Sequence, residues 1–197
     1  MRWIDPKQGP RAGLYRHFRT FARPQYTLCA RVDLRPLKAR NDLGLFPMIL
    51  KEVILAANAV PELRRRIRVV DGEERIVEHD RVDCTCTIGR DDGTFTFGHF
   101  PYPEEDFAQQ VRERAEAARQ TEGLGLEQEG RDDKLFITCL PWLDFTTMQH
   151  AEIGDPLDCV PRIAWGRVVD EHVTVCLTAN HCLVDGIHVA RFFQALE

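Results

Sequence analysis

The sequence predicts an α/β protein, a two-layer sandwich of helices on a mixed, largely antiparallel sheet. Three observations point there. Apolar stripes of helical period occur at three separate places. Short alternating runs lie between them. Two pairs of these runs are split by acidic and glycine residues that suit hairpins rather than crossovers. A doubly wound parallel sheet would need strict strand–helix alternation, which this order lacks.

The elements follow in chain order. Residues 26–33 read as a strand. Phe46-Pro47 opens the first helix, because proline is tolerated in a first turn. Ile49, Leu50, Val53, Ile54 and Ala57 then follow at helical spacing, and Pro61 ends it. Residues 82–88 and 94–100 alternate around Asp91-Asp92-Gly93 and read as a hairpin. A second helix is expected over 103–120. Glu104, Glu105 and Asp106 sit at its start, with Arg112, Arg114 and Arg119 further on, which suits the macrodipole. Phe107, Val111, Ala115 and Ala118 form its apolar stripe. The polar stretch 120–133 reads as an exposed loop within one domain spanning residues 1–197. Residues 134–140 form a short apolar strand. Residues 160–169 and 172–180 flank Asp170-Glu171 as another hairpin. The third helix begins at Asp185-Gly186, with Val189, Phe192, Phe193 and Leu196 on its buried face.

Composition narrows the function classes. The 197 residues include 26 Lys and Arg against 31 Asp and Glu, a net charge of −5. A nucleic-acid-binding domain usually carries positive charge, so that class is disfavoured. No run approaches the roughly 18 apolar residues of a membrane span. The start, Met1-Arg2-Trp3-Ile4-Asp5-Pro6, lacks the apolar core of a signal peptide, and a cytoplasmic protein is expected. The seven cysteines, at 29, 84, 86, 139, 159, 176 and 182, read as buried thiols in a reducing compartment. Cys84-x-Cys86 is not the usual zinc spacing, and no metal site with His79 and His99 is expected. Arg64-Arg65-Arg66 with Arg68 reads as a solvated surface, and Trp142 and Trp165 as core or pocket wall. No dinucleotide, P-loop, zincin or serine-hydrolase motif is present.

The segment 174–193, TVCLTANHCLVDGIHVARFF, carries the chemistry. Alternation places Val173, Val175, Leu177, Ala179 and His181 on one side of a strand, so His181 points where its apolar neighbours point. Apolar surroundings disfavour the charged imidazole, and a neutral imidazole can take a proton from an alcohol. Asp185 follows at a helix N-terminus, where an N-cap role accounts for it without a place in a triad. Cys182 points away from His181, which argues against a thiol nucleophile, and His188 reads as structural.

Asn180 to Phe193, N-H-C-L-V-D-G-I-H-V-A-R-F-F, closely resembles the active-site signature of the chloramphenicol acetyltransferases, H-H-x-V-x-D-G-[FI]-H-V-x-R. Further likenesses occur in the family's order: His17-Phe18 with Phe21, Val32-Asp33-Leu34, Phe46-Pro47, Asn58 to Arg64, Asp71-Gly72-Glu73, Thr94-Phe95, and Leu140-Pro141-Trp142 with Phe145. The resemblance implies the CoA-dependent acyltransferase fold, acetyl-CoA as co-substrate, and a homotrimer with each active site at a subunit boundary. It implies that His181 is the general base, that Thr138 stands where a family serine donates to the oxyanion, and that Asp185 pairs with an N-terminal arginine. Phe21 and Tyr26 match aromatic residues lining the chloramphenicol site, and Arg167 matches a lysine near the CoA phosphates.

The sequence also departs from the family pattern. Asn180 replaces the first histidine, Ala164 a threonine, and Leu14 the arginine expected to meet Asp185, for which Arg16 or Arg11 are alternatives. The expected activity is O-acetylation of chloramphenicol or a related small alcohol. Two alternatives stay open: a different hydroxyl metabolite as acceptor, and a non-catalytic small-molecule-binding protein on the same scaffold.

Overall fold

The computed structural model describes residues 1–127 and 130–197. Of the polar stretch 120–133, residues 128 and 129 therefore lie outside the described residues. A six-stranded sheet forms the centre, in the order β2-β9-β8-β7-β5-β6. Its strands are β2 (Gln25–Asp33), β5 (Asp83–Gly89), β6 (Phe95–Phe100), β7 (Lys134–Cys139), β8 (Arg162–Trp165) and β9 (His172–Asn180). The pairings β2/β9, β9/β8 and β5/β6 are antiparallel, and β8/β7 and β7/β5 are parallel. This is the mixed, largely antiparallel sheet that the hairpin signals predicted.

Helices α3 (Leu45–Ala59), α4 (Phe107–Gln120) and α5 (Gly186–Leu196) supply the apolar layer. Leu50, Val53, Ile54 and Ala57 of α3 are fully buried and join Cys84, Leu135, Ile163 and Leu177 of the sheet in one core. Helix α4 starts later than its acidic run suggested. Asp106 adopts a left-handed backbone (φ 60°), so the helical path begins only at Phe107. Strand β8 is shorter than expected as well. After Trp165 the N–H of Arg167 bonds Leu143 O at 2.6 Å and leaves the ladder. A Cβ on Gly166 would stand 2.5 Å from that same carbonyl, so the close approach requires glycine there.

A second, three-stranded sheet was not anticipated. It has the order β1-β4-β3, from β1 (Arg2–Ile4), β3 (Arg65–Val70) and β4 (Glu73–Glu78). Its arginines correct the expectation of a solvated cluster. Arg66 is fully buried and donates to the carbonyls of Leu63, Arg65, Asp132 and Lys134 at 2.6–2.9 Å. Arg65 pairs with Glu62 and Glu78, and Arg68 with Asp132. Arginine at 65, 66 and 68, with Arg66 turned inward, looks like a polar surface in sequence, which hid the strand. Short helices α1 (Ala12–Phe18) and α2 (Arg35–Ala39) were likewise unmarked, since each buries one large side chain, Tyr15 and Leu37.

The cysteines are also corrected. Cys84, Cys86, Cys139, Cys159 and Cys182 are free thiols, but a disulfide joins Cys29 and Cys176. These two lie 147 residues apart in sequence and directly opposite across β2 and β9. Only the strand register creates that pairing.

Candidate active site

His181 stands just past the end of β9. Its N–H bonds Pro24 O at 2.9 Å, which ties it to the chain entering β2. The following turn closes on Asn180 O, which accepts from Leu183 and Val184, both at 3.0 Å. The side chain of Asn180 explains its departure from histidine. It donates to Pro156 O and Asp158 O, both at 3.0 Å, and accepts from the N–H of Cys182 at 2.9 Å. It thereby locks the turn that presents His181.

The imidazole lies flat on Phe18, with ring centroids 3.9 Å apart and planes 9° from parallel. Tyr26 closes another side at 4.5 Å and anchors its hydroxyl on Val184 O. Phe21 packs edge-on to Phe18 and extends this aromatic surface outward. The side chain of His181 is 32 % exposed, so it is neither sealed nor fully open. Burial lowers its pKa below the ordinary histidine value. Its own main chain opposes this, and the positive charge of Arg11 reinforces it. The balance favours the neutral ring. Its buried Nδ1 lies 3.4 Å from Asp185 Oδ1, which leaves Nε2 for chemistry.

The arginine left open in the sequence is Arg11. It donates to Asp185 Oδ2 and reaches the carbonyls of His181 (3.5 Å) and Cys182 (3.3 Å). Arg16 is exposed on α1 and takes no part in this cluster. Arg11 stands one helical turn before position 14 and still reaches the aspartate. His188 is structural, as expected. Its Nδ1 accepts from the N–H of Asp185 at 2.9 Å, so Nε2 carries the proton and faces Glu62 at 3.9 Å. Cys182 is buried, and burial pushes its thiol up to about 11, so no thiolate stands beside His181.

Thr138 is not with His181. It pairs with Ala164, and Ala164 with Cys176, so it lies two strands away from β9 and His181 is five residues further along. At about 4.8 Å per strand and 3.3 Å per residue, the two are roughly 20 Å apart. The site residues named from the sequence thus form two groups. His181, Asp185, Tyr26 and Phe21 gather at one end of the sheet, while Thr138 and Arg167 lie at the other.

Arg167 of this second group lines a cavity of about 470 Å³, whereas Thr138 precedes lining Cys139 in β7 and faces the other side of the sheet. Leu45, Phe46, Ile49, Trp142 and Trp165 line the cavity, with Arg119 and Arg167 as its cations. The volume lies within the roughly 300–1,000 Å³ of small-molecule sites. Trp142 and Trp165 are wall residues here, one of the two roles the sequence suggested. Sequence reasoning missed Phe18, Ile49 and Arg119. Phe18 was signalled by its motif, whereas Ile49 looked like ordinary helix core.

A mixed sheet with a half-buried imidazole just past a strand end, 3.4 Å from a carboxylate, fits an acyltransferase. The chloramphenicol acetyltransferase family model matches residues 1–197, and the chain belongs to that family. Chloramphenicol acetyltransferase 3 of Escherichia coli is 24% identical over 183 residues, covering 87% of this chain and 84% of the relative. A solved chloramphenicol acetyltransferase structure covers 98% of this chain and 96% of its own, with a TM-score of 0.84 and 22% identity. A probable dihydrolipoamide acetyltransferase from Listeria monocytogenes covers 98% and 92%, with a TM-score of 0.64 and 19% identity. The fold class expected from the sequence is thus shown. No helix among the described residues is long and apolar enough to cross a membrane.

Proposed function

We propose that this protein is an acetyl-CoA-dependent O-acetyltransferase, one acyltransferase domain per chain, acting on chloramphenicol or a related small alcohol. The observation that carries the reading is His181: a half-buried imidazole whose neutral form burial favours, seated on Phe18, with Nδ1 turned to the Asp185–Arg11 pair. Nε2 takes the proton of the acceptor hydroxyl as its oxygen attacks the thioester carbonyl. The C–S bond then breaks, and the proton passes to the leaving thiol. General base action of this kind contributes about 10²–10⁴-fold.

The oxyanion donor is Thr138, supplied by a neighbouring copy of the chain. The roughly 20 Å between Thr138 and His181 within one chain supports this, because an oxyanion donor must stand about 3 Å from the reacting oxygen. Exposed Leu28, Trp142, Leu143 and Ile153 offer apolar surface for such association, which we take to be a homotrimer. Phe21 and Tyr26 form part of the acceptor wall, and Arg167 faces the CoA phosphates. The expectation of a non-catalytic binding protein rested on the missing arginine at 14, and Arg11 weighs against it. Buried Ala164, beside Thr138, supports a second reading in which the acceptor is a different hydroxyl metabolite.

Thiol release from acetyl-CoA with chloramphenicol tests the first reading, and a panel of other alcohols tests the second. His181→Ala should lose 10²–10⁴-fold; equal turnover removes His181 from the mechanism. Thr138→Val should lose roughly 10²–10³-fold. Refolding the two inactive variants together should restore part of the activity, because mixed assemblies contain sites with both native groups. No recovery would exclude a shared site.

A further inference from the structure

Among the described residues, the cavity lined by Cys139 and Trp165 has two cations. Arg167 follows β8, and Arg119 lies in the last turn of α4. We propose that Arg119 is a second phosphate-binding residue of this cavity, receiving together with Arg167 the nucleotide end of acyl-CoA. This rests on the acyl-CoA reading above.

Three observations support it. First, the end of α4 is held in place by a neighbour. Arg90, just past β5, donates to Arg119 O at 3.2 Å, to Phe95 O at 3.2 Å and to Gly123 O at 2.7 Å. Arg90 thus serves carbonyls, while the side chain of Arg119 stays exposed at the cavity. Second, among the described residues Arg119 makes only a surface pair with Glu116 of its own helix, at 3.0 Å and with 46 % of its side chain exposed. Such pairs are weak and exchange readily for a phosphate, which a guanidinium grips with two parallel hydrogen bonds. Third, the wall the two arginines share is largely apolar, with Phe46, Ile49 and Trp165. A ligand with an uncharged thioester arm and a polyanionic end matches both surfaces. A neutral ligand would use only the wall.

The test is direct binding of CoA and of pantetheine, which lacks the nucleotide, measured by calorimetry on the unreacted protein. Arg119→Gln should weaken CoA about tenfold, the worth of one charged hydrogen-bonded contact, and leave pantetheine unchanged. Arg119→Lys should recover part of the loss, because it keeps the charge but lacks the planar fork. In turnover, the KM for acetyl-CoA should rise with kcat unaltered. Equal CoA affinity in wild type and Arg119→Gln overturns the role of Arg119 while leaving the acyl-CoA reading intact. An equal loss for CoA and pantetheine also overturns it. If the wild type binds neither compound, the acyl-CoA reading itself falls and takes this proposal with it. Arg119 is on the surface, so an unchanged urea midpoint should accompany each variant.

Discussion

Replacing Arg11 with methionine tests how the site is held together. Arg11 and Asp185 are 23% and 24% exposed, and the same guanidinium reaches the carbonyls of His181 and Cys182. The substitution leaves a mostly buried carboxylate without its cation. Breaking a fully buried pair costs about 3–5 kcal/mol and an exposed one at most about 1, so a loss of about 2 kcal/mol is expected. That amount leaves the protein folded but lowers its urea midpoint. Catalysis should suffer more. Without its two carbonyl contacts the turn is free to shift, and a displacement near 1 Å costs on the order of 10²-fold in kcat.

The pH profile gives the sharper reading. The charge of Arg11 helps to keep the imidazole of His181 neutral, so removing it while Asp185 stays negative raises the imidazole's pKa. The acid limb of kcat/KM should therefore move to higher pH, and the variant's deficit should be larger at about pH 6 than at about pH 8. Arg11→Lys should restore the acid limb and only part of kcat, because an ammonium lacks the planar fork. Thiol-release kinetics between about pH 5 and 9 measure all of this. An unmoved acid limb with kcat within about threefold of wild type would refute Arg11 as a positioning residue.

Three further outcomes are expected. His150 has both ring nitrogens buried without a hydrogen-bond partner among the described residues, and burial lowers its pKa to about 4. The unfolded chain protonates near 6.5, so this contribution is complete above that pH and is lost as pH falls toward 4, by at most about 3 kcal/mol. His150→Leu should flatten unfolding free energy over that window, and identical slopes would exclude the effect. The denatured, unreduced chain should show five reactive thiols, and seven after reduction, because Cys29 and Cys176 are bonded; seven without reductant would refute the disulfide. Arg66→Met should cost about 3 kcal/mol or more in urea unfolding, since four inward carbonyls lose their donor. A loss under about 1 kcal/mol would show that the site collapses around the change.

Local signals carried the larger elements. Helix α3 was legible because its apolar residues recur at helical spacing after a tolerated proline, and β9 because its buried face alternates. His181 stood out for the same reason: it continues an apolar alternation into a turn and a capped helix. The second sheet was hidden, because Arg66 occupies an inward position and its burial depends on carbonyls from 63 to 134.

The sequence by itself determined the sheet-and-helix layers, the histidine and the aspartate after it, because each follows from periodicity or turn chemistry within a few residues. Tertiary structure alone decided which arginine meets Asp185, which cysteines bond, and that Thr138 and His181 stand at opposite ends of one sheet. Those are long-range facts, set by strand register and by the path of α1, and no spacing along the chain encodes a distance across it.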